Sequence, residues 1–278
     1  MPMDRLYQYT TPDALIGIVK TNTLWATSVF YLNDSRELIG GIEIAHDHLR
    51  NIGDSAAAQQ SDRVEWLLHD IRDFGKAFRT KPVYVASLTT RNDQLSQWRA
   101  YCRGGGFAIG FPADQLRECV RSQHCDLHDC IYDKDEQRRL MTSVVESIAR
   151  PWIETSRLPV EEDNDRFKIR GQLAWELLRT ASRIKDDSFA EEGESRIISQ
   201  PERPYDADAL QFRSRNGLVV PYISVTLPDD IEFWGKVNVV VGPTPHPAES
   251  QASVYDLIRR YRGHAIGIEI SRTPYREW

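Results

Sequence analysis

The stretch "LYQYTTPDALIGIVKTNTLWAT", residues 6–27, governs how the rest of the chain is read. Leu6 with the two tyrosines predicts a short first strand. Thr11-Pro12-Asp13 is a helix start: a threonine cap, a proline in the first turn and an acid behind it. Leu15, Ile18 and Val19 supply a helical period. A second strand is expected around 24–27. A strand, a short helix and a strand in quick succession set a mixed architecture from the outset.

Working outward, residues 35–78 carry a helical pattern. One stripe runs through Ile39, Ile42, Ile44, Ala45 and Leu49. A second runs through Trp66, Leu67, Ile71 and Phe74, with a polar connection at 51–62. "PVYVASLTT" (82–90) predicts a strand with both faces partly buried. "GGGFAIGFP" (104–112) predicts another, opened by three glycines. "ADQLREC" (113–119) reads as a short helix and "CIYDKD" (130–135) as a brief strand. Long helices are expected over 135–155 and 163–184. In "ALQFRSRNGLVVPYISVTL" (209–227), Asn216-Gly217 is a hairpin signal between apolar runs. A buried strand at 236–243, a helix at 253–263 and a last strand at 265–271 complete the chain. This is an α+β pattern with a mainly antiparallel sheet core. Residues 1–278 read as one domain with a helical insertion at about 133–184, because no linker-like tract divides the sequence.

Bulk properties narrow the function classes. The formal net charge of −6 argues against a general nucleic-acid binder, which neutralises phosphates with a basic excess. No run approaches the roughly 20 apolar residues that span a bilayer, and the N-terminus lacks an apolar signal core. Four cysteines do not make a disulfide framework. The expectation is a cytoplasmic protein with reduced thiols and no membrane partner.

Several clusters are candidates for chemistry. "FAEEGESRII" (189–198) holds Glu191, Glu192 and Glu194 around Gly193. On a strand, Glu192 and Glu194 point to one side, and their mutual repulsion calls for a cation. Lys185 and Arg196 are the candidates. On spacing alone, an ion pair at a solvated edge is the simpler reading, and Glu191 falls out of phase as surface. "CVRSQHCDLHDC" (119–130) gathers cysteines and histidines, but without paired metal-ligand spacing, so no metal site is assigned. "DQLSQWRAY" (93–101) brings Ser96, Trp98 and Tyr101 together. If helical, Trp98 and Tyr101 share one face, suited either to sandwiching a base or to packing on the core. The glycines at 104–106 serve either a turn or the close approach of a ligand. Asp34 and Glu37 resemble a capping box.

The pieces "LYQYTTPDALIGIVKTNTLWAT", "VASLTTRNDQLSQWRAYCRGGGFAIGF", "IKDDSFAEEGESRII", "FRSRNGLVVPYI" and "IEISRTPYR", in this order, resemble the bacterial domain of unknown function 2971 family over nearly the whole length. A second resemblance is to the ADP-ribosyltransferase fold, carried by the opening stretch and by Glu192-x-Glu194. That resemblance implies an enzyme that cleaves the nicotinamide–ribose bond of NAD. The ADP-ribose would pass to an unknown acceptor (protein, nucleic acid or small molecule), in a toxin or phage-defence setting. It makes Glu194 and Glu192 the catalytic carboxylates. Gln8 falls where such enzymes carry a first-strand His or Arg, and Ser87 falls near a middle-strand serine. Tyr7, Tyr9, Ser96, Trp98, Tyr101 and Arg196 complete the dinucleotide-binding set it implies. Two alternatives stand beside it. One is a non-enzymatic nucleotide-sensing or interaction module using Trp98, Tyr101 and the 104–106 loop. The other is a metal-dependent nuclease using Asp34, Glu37 and Glu192.

Overall fold

The computed structural model describes residues 5–32, 35–72, 83–102, 104–155, 159–160, 162–200, 209–215, 217–263 and 266–274. The opening stretch folds as its pattern predicts. β1 (Arg5–Thr10) leads into α1 (Pro12–Thr21), and β2 (Thr23–Ser28) follows. The Thr11 hydroxyl accepts from the Ala14 N–H at 3.4 Å. Asn22 ends the helix in the left-handed conformation, φ 59°. Its side chain is buried because it is used twice: Nδ2 donates to Leu227 O at 2.6 Å, and Oδ1 accepts from Trp234 Nε1 at 3.1 Å. Asn22→Ala leaves both partners unsatisfied and is expected to destabilise the fold by about 2–3 kcal/mol. A urea titration checks this; a loss below roughly 0.5 kcal/mol contradicts it.

The sheet forms around β3 (Tyr84–Thr89), β4 (Phe107–Pro112), β5 (Cys125–Asp129) and β6 (Glu194–Ser199). It continues through β7 (Leu210–Arg215), β8 (Leu218–Thr226), β9 (Asn238–Val241) and β10 (Gly267–Ile270). Its order is β10-β9-β4-β1-β3-β2-β8-β7, with β6 on β3 and β5 on β6. Among the described strands, β9 and β10 pair in parallel and the other pairs are antiparallel. The expected α+β class with a mainly antiparallel sheet therefore holds. The hairpin turn is at Gly217, φ 78°; Asn216 lies outside the described residues.

The sheet is split at β3. β6 runs along one edge of β3, from Thr89↔Glu194 to Val85↔Ile198. Both β1 and β2 must then share the other edge. β1 meets it at Tyr7↔Thr89, and β2 meets it at the opposite end, at Thr27↔Val85 and Ser28↔Tyr84. One wing is β10-β9-β4-β1 and the other is β2-β8-β7. Between them, the middle of β3 faces a gap. Ser87 is exposed there, while the other five residues of β3 are buried.

Helices cover the sheet. α2 (Ser35–Asp54), α3 (Ala58–Arg72), α6 (Lys134–Thr155) and α7 (Asp165–Ala181) share one apolar cluster with Val83, Val85 and Ile198 of the sheet region. α6 and α7 lie between β5 and β6 in the chain, and α2 and α3 complete the layer from the N-terminal side. α5 (Ala113–Arg121) and α9 (Pro247–Arg262) pack with α1 in a second cluster. α4 (Leu95–Tyr101) buries Trp98 against Tyr7, Tyr9, Cys102, Ala108 and Val240 in a third. α8 (Ile231–Trp234) is one turn, capped by Asp230.

Three local expectations are corrected. The polar connection at 51–62 shrinks, because α2 continues to Asp54 and α3 starts at Ala58. Ile39 is 54% exposed, while Ile42, Ala45 and Leu49 carry the buried stripe. The strand expected at 130–135 is replaced by β5 just upstream, where Cys125 and Leu127 alternate inward; Ile131 keeps one isolated bridge to Ile184. Phe74 and the side chain of Ile71 lie outside the described residues.

Candidate functional site

The split opens a cleft of about 600 Å³, within the range typical of small-molecule sites. Tyr7, Gln8, Tyr9 and Thr10 line it from β1, and Ala14, Gly17 and Ile18 from α1. Trp25 and Thr27 line it from β2. Ser87 and Thr89 on β3 form the floor with Glu194 and Arg196 on β6. Gln97 and Tyr101 close one end, and Arg213, Ser214 and Arg215 reach in from β7.

The acidic stretch at 189–198 is what equips the floor. Residues Asp187–Glu192 form a 3-10 turn, and Gly193 at φ 53° redirects the chain into β6. Glu192 and Glu194 are therefore not alternate residues of one strand, as the spacing predicts. They converge because the chain turns at Gly193. A side chain there would strain the left-handed backbone and place its Cβ 2.5 Å from Thr90 Oγ1. Gly193 O also accepts from the Thr90 N–H at 3.1 Å, and Thr89 Oγ1 donates to Glu192 O. Gly193→Val is expected to destabilise the protein by about 2–4 kcal/mol and to spread the two carboxylates. Thermal melting checks the first effect; an unchanged Tm contradicts it.

Around the carboxylates lies a buried ionic network. Lys185 Nζ donates to Glu192 Oε2 at 2.7 Å and also to Glu194 Oε2. Arg196 Nε donates to Glu194 Oε1 at 2.7 Å, and its Nη1 donates to Ser182 O at 2.7 Å. The Lys185, Glu194 and Arg196 side chains are only 3%, 7% and 4% exposed. The Glu194 main chain is fixed too: its N–H donates to Tyr132 Oη at 2.9 Å, and its carbonyl accepts from the Cys130 N–H. Burial alone would raise the Glu194 carboxyl, but Arg196 and then Lys185 outweigh it and hold the group at about 2. Burial likewise works against the Lys185 ammonium, yet Glu194 and Glu192 raise it above the ordinary lysine range. Glu194 is thus an ionised carboxylate in a buried wall at neutral pH.

Glu192, Glu194, Arg196 and Ser87 meet in the cleft, with Tyr7, Gln8, Tyr9 and Tyr101 around them. Gln8 Oε1 is buried without a hydrogen-bond partner, an acceptor available to a ligand N–H or O–H. Trp98 and Ser96 are not among the lining residues. Trp98 is fully buried, packed edge-on against Tyr9 at 4.5 Å, and donates from Nε1 to Asp93 Oδ1 at 2.7 Å. Of the two aromatics on that helix, Trp98 anchors the core and Tyr101 faces the cleft. The glycines at 104–106 serve the turn and close packing: Gly104 and Gly105 have positive φ, and a Cβ on Gly106 would sit 2.6 Å from Thr10 O. Glu191 is exposed, with its carbonyl accepting from Gln94 Nε2. Among the described residues, no group of three His, Cys, Asp or Glu side chains could hold a metal ion. Asp34 and the side chain of Glu37 lie outside the described residues.

Sequence reasoning missed Trp25, Gln97, Arg213 and Arg215 as cleft residues. Nothing local marks them: Gln97 lies on the short helix α4, and Trp25, Arg213 and Arg215 are brought together by the pairing of β2 with β8 and of β8 with β7.

The comparison with known families bears on the segment that builds the floor. Over residues 97–197, the chain is similar to the DUF2971 family. The family is described as a protein of unknown function, and its matched segment runs from α4 into β6, through Tyr101, Glu192, Glu194 and Arg196. No curated protein and no solved structure matches the chain. No helix among its described residues is long and apolar enough to cross a membrane.

Proposed function

We propose that the cleft binds NAD and that the protein cleaves its nicotinamide–ribose bond, transferring ADP-ribose to an acceptor. The observation that carries this reading is Glu194: a buried, ionised carboxylate held rigidly in the wall of an aromatic-lined cleft. Breaking the bond sends its electron pair to the nicotinamide nitrogen, and positive charge develops on the ribose. A fixed carboxylate stabilises that charge without reorganising. The incoming nucleophile bonds to the anomeric carbon and loses its proton to Glu192. Gln8 Oε1 accepts from a ribose hydroxyl or the carboxamide. Tyr7, Tyr9 and Tyr101 supply apolar ring surface for the nicotinamide.

The test is release of nicotinamide from NAD by the purified protein, compared with Glu194→Gln. Equal release by the two proteins would sink the assignment. The ion pairs also favour a second reading. Both Glu194 oxygens already accept from Lys185 or Arg196, as expected of a network that shapes a pocket in a non-catalytic nucleotide-binding module. Tight binding of ADP-ribose with no nicotinamide release from NAD is the signature of that module.

A further inference from the structure

We infer that Arg213 and Arg215 form the anion-binding end of the cleft and hold the diphosphate of a nucleotide ligand. This rests on the reading of the cleft as a nucleotide site and assigns its charged subsite to a wall that the carboxylates do not occupy.

Four observations carry the inference. First, Arg213 and Arg215 are alternate residues of β7, so both project from one face, and both line the cleft. Their Cα atoms are about 7 Å apart along the strand, and Arg215 is near enough to disfavour the charged form of Arg213. Second, Arg213 is pre-positioned. Its guanidinium lies over the Trp25 ring at 5.5 Å and near the Tyr222 ring at 5.9 Å, and Nη2 donates to Thr27 Oγ1 at 2.8 Å. Stacking on Trp25 holds the planar fork at the cleft wall, the arrangement that suits guanidinium recognition of phosphate. Third, Arg213 Nε is buried with no hydrogen-bond partner, although a buried donor normally has one. Burial and the nearby Arg215 both depress the Arg213 guanidinium, so a bound anion relieves the site. Fourth, the cations at hydrogen-bond distance from the two cleft carboxylates, Lys185 and Arg196, come from outside β7. The arginines on β7 add positive charge to the cleft of a chain whose net charge is −6.

Calorimetric titration of the full chain with ADP-ribose and with adenosine tests the inference, since adenosine lacks the diphosphate. ADP-ribose should bind at least tenfold more tightly, by an advantage that shrinks as salt is raised. Arg213→Gln and Arg215→Gln should each remove at least tenfold of ADP-ribose affinity and leave adenosine binding unchanged. Arg215→Gln does not disturb the stack on Trp25, so it keeps the test valid if Arg213→Gln perturbs folding. Equal affinity for the two ligands, or no binding of either, overturns the subsite. So do variants that bind ADP-ribose as the wild type does. ADP-ribose binding that depends on the arginines, without nicotinamide release from NAD, keeps the subsite and removes the transferase reading. Nicotinamide release with an unchanged KM in both arginine variants does the reverse.

Discussion

Replacing Lys185 with methionine is expected to destabilise the protein by about 3–5 kcal/mol, because it removes the ammonium that bridges half-buried Glu192 and buried Glu194 and leaves Glu194 to Arg196. Methionine keeps the length and apolar stem of lysine, so most of the loss is electrostatic. The effect depends on pH in a defined direction. Glu194 is held at about 2, below its ordinary 4.5. Its contribution is fully present above the ordinary value and is lost as pH falls through about 2. In the variant, the Glu194 carboxyl moves upward, so the gap to the wild type is widest at neutral pH and narrows in acid. Urea unfolding at pH 7 and at about pH 4 reads both effects. The double variant Lys185→Met/Glu194→Gln removes one charge of each sign and is expected to recover at least 1 kcal/mol over Lys185→Met. A single-variant loss below roughly 1 kcal/mol at pH 7, or no recovery in the double variant, would show that the network is not coupled.

Glu194→Gln carries the second large effect. On the transferase reading, nicotinamide release is expected to fall by about 10²–10³-fold or more, with a smaller change in KM, because the carboxylate acts on charge that develops only in the transition state. Near-ultraviolet circular dichroism must show a folded variant for the comparison to count. The wild type supplies an internal control. Glu194 is held at about 2, so this carboxylate stays ionised between about pH 8 and pH 5 and contributes no acid limb to the rate there. A limb near the ordinary glutamate value that vanishes in Glu194→Gln would contradict the assigned ionisation state.

How much of this was legible in the sequence follows from how local each signal is. Residues 6–27 were readable because a cap, a proline and a helical period all act within a few positions. The β7–β8 hairpin was readable from Asn216-Gly217 for the same reason. β5 was not, because its cysteine and histidine content masked a plain in–out alternation. The local pattern pairs Glu192 with Glu194 and offers Lys185 and Arg196 as partners, but it does not carry their geometry. Strand alternation cannot anticipate a left-handed glycine closing a 3-10 turn. Trp98 and Tyr101 share a helix too short for a stripe to say which one faces inward, and only the packing of Tyr9 decides it. Trp25 and Arg213 meet through β8, which lies between their strands, and no local pattern encodes that meeting.

The width of the cleft has an unusual determinant. β1 and β2 attach to opposite ends of one edge of β3, and α1 joins them along the chain. α1 has ten residues, so it is a rigid spacer of about 15 Å, closed by Thr11 at one end and Asn22 at the other. The aperture is thus gauged by a helix length. One inserted residue would turn β2 by roughly 100° relative to β1 and swing Trp25 away. Chemical variation of the lining can change what the gap accepts, but its span is fixed by counting residues in α1.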